Sequence, residues 1–164
     1  MPLLLRYAAG KQLLFEIDAH QYGSSSYFDI AFQTGSAAFE LYEKDNSEIA
    51  PAEDALRISR ILVGHKSDIA EVLELSARVE MELGDRALAK ERWRILALGS
   101  KRGSLQWISA KYNSILLLAE ESPEQALEVL NQHQILYPEY GKEPYGSRLQ
   151  QLHNNLLRGE NDGP

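Results

Sequence analysis

Arg86, Lys90 and Arg94 recur every four residues, a spacing that puts three cations on one stripe of a helix. They sit in residues 85–103, which hold six bases against two acids inside a chain of net charge −7. This basic patch reads as a docking surface for an acidic partner or a phosphate-bearing ligand, with a solvated outer helix face as the plain alternative. Few aromatics interleave with it and the surrounding chain is acidic, so no nucleic-acid partner is expected. Two further pairs, Glu40 with Lys44 and Glu74 with Arg78, set an acid four residues before a base. That order steadies a helix surface by about 0.2–0.5 kcal/mol and marks two more charged faces.

Catalytic constellations are absent from the pattern. The four histidines, His20, His65, His133 and His153, fall on different elements and no two of them stand three or four residues apart as in a helical metal pair, so they read as loop or helix-surface residues and no metal is expected. The chain contains no Gly-rich phosphate loop, nucleophile elbow or HExxH motif. Ser24, Ser25 and Ser26 read as helix caps and not as a nucleophile. Zero cysteines exclude thiolate catalysis, Cys-based zinc sites and disulfides. No cofactor is implied, no convergent polar pocket is legible, and the expectation is a protein that is not an enzyme.

The elements that carry these residues are helical. Apolar spacing and caps predict helices over residues 3–20, 24–44, 51–63, 67–83, 85–99, 104–121, 122–136 and 147–158. Ser24–26, Ser67, Ser104 and Ser147 are the expected N-caps, and Ser122-Pro123-Glu124-Gln125 has the form of a capping box with proline at the first helical position. Gly64 and Gly84 stop their helices, and Pro138 follows another. No alternating β-branched run with a hairpin turn occurs. Residues 159–164 read as a disordered polar tail. Tyr137, Tyr140 and Tyr145, with Pro138 and Pro144 between them, form a stiff aromatic loop expected to pack under the last helix.

Ala55, Ala89 and Ala126 follow one another at intervals of 34 and 37 residues. Each is followed at +4 and +7 by residues suited to an interior face: Ser59 and Leu62, Trp93 and Leu96, Leu130 and His133. Periodicity of this length is the mark of stacked helical hairpins, each too small to bury its own face. The units are residues 36–69, 70–103 and 107–140, with residues 1–35 as an N-terminal helical extension and 141–158 as a capping helix. On Phe39 and Tyr42, on Leu73, Ser76, Ala77 and Gly84, and on Ala110, Asn113, Ser114 and Pro138, together with the alanine stripes, the chain resembles the tetratricopeptide repeat (TPR) family. It departs from that pattern at Glu43 and His133, where small residues are usual.

The resemblance implies an all-α, TPR-like α-α superhelix of about three hairpins, whose first helices line a concave groove. Carried over residue by residue, that groove comprises Ala37, Glu40 and Lys44, then Glu71, Glu74, Arg78 and Met81, then Ile108, Lys111, Ile115 and Leu118. A clamp for a peptide carboxylate is not expected, because Arg78 and Lys111 have no matching Asn. The implied function is non-enzymatic capture of a protein or peptide partner; the alternative is a structural or oligomerisation domain of a larger protein, with a homo-oligomer as one form. Hydrophobic residues at 44% and charged residues at 25% are ordinary for a soluble globular chain. The longest apolar run, residues 115–119, is far short of a membrane span, and residues 1–6 are too short a run for a signal peptide. No direct membrane insertion is expected, and the cytoplasm is favoured over the periplasm.

Overall fold

The structure, a computed structural model, describes residues 2–17, 24–47 and 49–159. Among them there are eight α-helices and no strand: α1 Leu3–Glu16, α2 Ser25–Lys44, α3 Ile49–His65, α4 Ala70–Leu83, α5 Arg86–Gly99, α6 Leu105–Glu121, α7 Pro123–Leu136 and α8 Tyr145–Arg158. None is long and apolar enough to cross a membrane. The chain forms two compact units, Met1–Asp85 and Arg86–Pro164. The first contains α1–α4 and the second α5–α8, so residues 70–103 contribute one helix to each.

Two of the expected caps form. The Ser24 hydroxyl accepts from the Tyr27 amide at 3.2 Å and the Ser104 hydroxyl from the Trp107 amide at 3.1 Å, each satisfying a donor at a helix start. Both serines have extended backbones, with ψ of 152° and 160°. Ser122 makes no such bond. It ends α6 and starts α7 at once, which holds it at φ −152° and ψ 88°, short of the angle the other two caps adopt. Pro123 does take the first turn of α7. Ser67 is not a cap either, since α4 begins at Ala70 after Ile69. Helix α8 starts two residues ahead of Ser147, whose hydroxyl instead donates to Glu143 at 2.6 Å. The expected extension of the first helix to residue 20 and the tail beyond residue 159 lie outside the described residues.

In the first unit α1 packs on α2, α2 on α3 and α3 on α4. The core is built from Tyr27, Phe28, Phe39, Ala55, Ile58, Leu62 and Val79. Gly10 sets the approach of α1 to α2: a methyl group there would lie 2.0 Å from Thr34 Oγ1. Two buried acids tie the helices together. Asp54 on α3 accepts from Tyr7 at 2.7 Å, from Lys11 at 2.6 Å and from Arg57 at 2.8 Å. Burial alone would raise its carboxyl, and the bonds from Arg57, Lys11 and Tyr7 outweigh that and hold it at about 2. Glu80 on α4 is fully buried, gripped by Arg60 Nε at 2.7 Å and Nη2 at 3.0 Å, and accepts the Asp85 amide at 2.8 Å. Such doubly bonded, charge-assisted contacts offset the cost of taking a carboxylate out of water.

In the second unit α5 packs on α6 and α6 on α7, and α8 lies against both α6 and α7. Ile108, Ile115, Ala126, Leu130, Tyr140 and Leu149 are its core. Leu149 turns fully inward on α8, Leu152 and Leu156 partly so, and Arg148, Gln150 and Gln151 stay exposed, which gives this helix the polar back of a cap. Tyr140 is buried beneath it and its hydroxyl meets His153 Nδ1 at 2.6 Å. The alanine stripes read from the sequence are interior in both units: Ala55, Ala89 and Ala126 are fully buried, as are their +4 and +7 neighbours to within 4%. Within each unit, packing between successive helices is consistent with a helical repeat.

Candidate functional site

Within the first unit, α2 and α4 flank a groove made of two adjoining hollows of about 200 and 210 Å³ that share Phe32 and Glu71. Glu40, Glu71, Glu74 and Arg78, four of the expected groove residues, line it. Its floor is apolar, from Phe28, Phe32, Phe39 and Leu75, and Asp29 adds a further acid at the wall. Period-3.6 geometry explains the grouping on α4: Glu71, Glu74 and Arg78 are three and four residues apart and share a face.

The charges pair across helices and not along them. Among the described residues neither i,i+4 pair closes: Glu40 meets Arg6 of α1 at 3.5 Å, and Arg78 meets Glu43 of α2 at 2.7 Å with its guanidinium 5.0 Å from the Phe39 ring. The Glu43 that departs from the family pattern therefore bridges α2 to α4. Glu71 is exposed, Glu74 is half-buried, and neither has an ion-pair partner among the described residues. Four acids face one base, so the groove is acidic over an aromatic floor. Lys44 is exposed in the last turn of α2 and Met81 is half-buried on α4, and neither lines the hollows. Ala37 is buried.

In the second unit the remaining groove positions part company. Ile108 and Ile115 are 1% and 2% exposed and belong to the core, so they offer no surface. Lys111, on the same helix, is half-buried and opens into a cleft of about 480 Å³ between α5, α6 and α7. The basic stripe is internally neutralised: Arg86 pairs with Glu120, Lys90 with Glu121, and Arg94 with Glu91 at 2.6 Å. The first two pairs brace α5 against the end of α6. Arg94 also reaches the cleft, where Arg102 joins it, and among the described residues no acid lines that cleft.

Two histidines differ from the surface reading. His65 is exposed, but His133 and His153 are 4% and 3% exposed. His133 Nε2 meets the Tyr140 carbonyl at 3.0 Å, and His153 Nε2 meets Asn131 Oδ1 at 3.0 Å. Burial pushes both rings below the usual histidine range; at His133 the Tyr140 bond opposes that and the nearby Lys111 charge adds to it. Trp107 and Tyr137 stack around His133 with centroids 5.9 and 5.0 Å away. His20 lies outside the described residues. Among the described residues, no group of three or more metal-ligating side chains converges.

Sequence reasoning missed the cleft. Its faint signals were Lys111 and Ser114 three apart on α6, and Val129, Gln132, His133 and Leu136 at helical spacing on α7. Each set is an ordinary helix face, and only the packing of α5, α6 and α7 brings them together. No protein-family model, curated protein or solved structure matches the chain.

Proposed function

We propose that this chain is a non-enzymatic interaction module, built of TPR-like helical hairpins, that captures a peptide or partner subunit along the acidic groove between α2 and α4. One observation carries the reading: Glu71 and Glu74 stand without ion-pair partners among the described residues beside an aromatic floor. An apolar floor edged by unpaired charge of one sign suits a segment that alternates apolar and basic residues. The floor supplies affinity, and the acids supply orientation and a faster encounter. The alanine stripes and the packing of successive helices within each unit support the TPR-like reading, and four of the residues that resemblance assigns to a binding face, Glu40, Glu71, Glu74 and Arg78, line the groove.

The test is photo-crosslinking in cells of the source organism from a reactive residue at Ser36, inside the groove, and at Glu53, on the exposed face of α3. The expected result is a discrete crosslinked partner from Ser36 alone, lost in Glu71→Lys/Glu74→Lys while helical circular dichroism is unchanged. Equal crosslinks from both positions, or capture that survives the charge reversal, overturns the assignment.

A second reading rests on α1, where Leu4, Leu5, Leu13 and Phe15 are 65%, 53%, 48% and 86% exposed. These exposed apolar side chains fit a structural or oligomerisation domain that packs on a second copy or on a neighbouring part of a larger protein. A concentration-independent monomer in sedimentation rules out the self-association form.

A further inference from the structure

The cleft of the second unit is a built pocket that the groove reading leaves unused. Its volume of about 480 Å³ falls inside the roughly 300–1,000 Å³ usual for small-molecule sites. The walls are apolar, with Trp107, Val129, Leu136 and Tyr137 among them, and the polar groups that converge on it are cationic or neutral. Lys111 comes from α6 and Arg102 from the turn before it, and neither has an ion-pair partner among the described residues. Arg94 adds a third cation, already held by Glu91.

A second, independent feature points to a ligand. Ser114, one turn along α6 from Lys111, lines the same cleft, and its hydroxyl is shut off from solvent and has no hydrogen-bond partner among the described residues. An orphaned buried hydroxyl is rare in a folded protein, because leaving it unsatisfied costs free energy. Burial also pushes the Lys111 ammonium below its usual range, which an incoming anion would reverse. His133, buried at the back and bonded to the Tyr140 carbonyl, adds polar surface without a competing negative charge.

We infer that this cleft binds a small organic anion, a flat or branched apolar body bearing a carboxylate or phosphate, with Lys111 and Arg102 on the charge and Trp107, Leu136 and Tyr137 against the body. Lys111 and Ser114 lie one turn apart on one face of α6, so an anionic group held by Lys111 sits beside Ser114. The charged rim is open at Arg102, which is exposed, while the body enters between α6 and α7. The site lies wholly in the second unit and stands whether or not the first unit's groove holds a partner.

Four probes test this by titration into the full chain: 1-naphthoate, 1-naphthyl phosphate, neutral 1-naphthalenemethanol and inorganic phosphate. Binding is read from the Trp107 indole NMR signal and the Lys111 ammonium titration. Both naphthyl anions are expected to bind and to raise the Lys111 titration midpoint, and the stronger of the two identifies the preferred anion. The alcohol and inorganic phosphate are expected to bind at least about tenfold more weakly, a difference one lost charge contact supplies. Lys111→Met should weaken the anions by about tenfold or more and Lys111→Arg by far less. Arg102→Ala, at an exposed turn position, should weaken them several-fold and keeps the test decisive if Lys111→Met fails to fold. The inference fails if the alcohol matches the anions, if inorganic phosphate matches the naphthyl anions, or if neither Lys111→Met nor Arg102→Ala changes binding.

Discussion

Removing the Arg60 side chain isolates a carboxylate that the fold has taken fully out of water. Glu80 is 0% exposed, and two of its bonds come from the Arg60 guanidinium at 2.7 and 3.0 Å. Breaking a buried ion pair by deleting one partner costs about 3–5 kcal/mol. Arg60 is itself 49% exposed, so solvent screens part of the attraction, and Glu80 keeps its bond from the Asp85 amide. The expected loss for Arg60→Met is therefore about 2–3 kcal/mol. With a urea slope of about 1–3 kcal/mol per molar, the unfolding midpoint of the first unit should fall by about 0.7–3 M. Circular dichroism follows both units, whereas both tryptophans, Trp93 and Trp107, lie in the second, so tryptophan fluorescence reports that unit by itself. Adding Glu80→Gln removes the stranded charge but keeps an acceptor for the Asp85 amide. The double variant should recover much of the loss, giving a coupling energy of about 2 kcal/mol. A coupling below about 0.5 kcal/mol would show that Arg60 and Glu80 are not the clasp described here.

Two pH dependences follow. Asp54 has a folded carboxyl at about 2 against roughly 3.9 when unfolded, so it contributes on the order of 2–3 kcal/mol that is fully present above pH ~4 and is lost as pH falls toward 2. Asp54→Asn should unfold earlier by that amount at neutral pH and converge with the parent chain near pH 2, as read by circular dichroism in urea; a gap that stays constant with pH contradicts the assignment. His133 and His153 are held below the histidine range by burial. Their contribution is present above pH ~6.5 and lost as pH falls through their folded values, so the tryptophan-reported midpoint of the second unit should drop on acidification. His133→Gln/His153→Gln should flatten that drop, and an unchanged slope would assign it to other groups.

Local periodicity accounts for what the sequence made legible. The boundaries of α2 and α6 follow from Ser24 and Ser104, because a cap bond spans only three residues. The buried faces of α3, α5 and α7 follow from the alanine stripes, since a 3.6-residue repeat puts positions 0, +4 and +7 on one side of a helix. The grouping of Glu71, Glu74 and Arg78 was readable for the same reason. The sequence failed where one residue serves two elements, as Ser122 does between α6 and α7.

Tertiary structure decided the rest. Which charge meets which depends on how helices cross: Glu43 finds Arg78 and Asp54 finds Tyr7, partners 35 and 47 residues away, and no spacing rule reaches that far. Burial of His133 and His153 required α8 to close over α6 and α7, and the cleft at Lys111 required three helices to present unremarkable faces to one space. A linear pattern determines which face of each helix is apolar, which here was enough for the all-helical class and its interior stripes. It does not determine the angle and offset at which two such faces meet, because those are set by side-chain volumes at the crossing, such as Gly10 against Thr34.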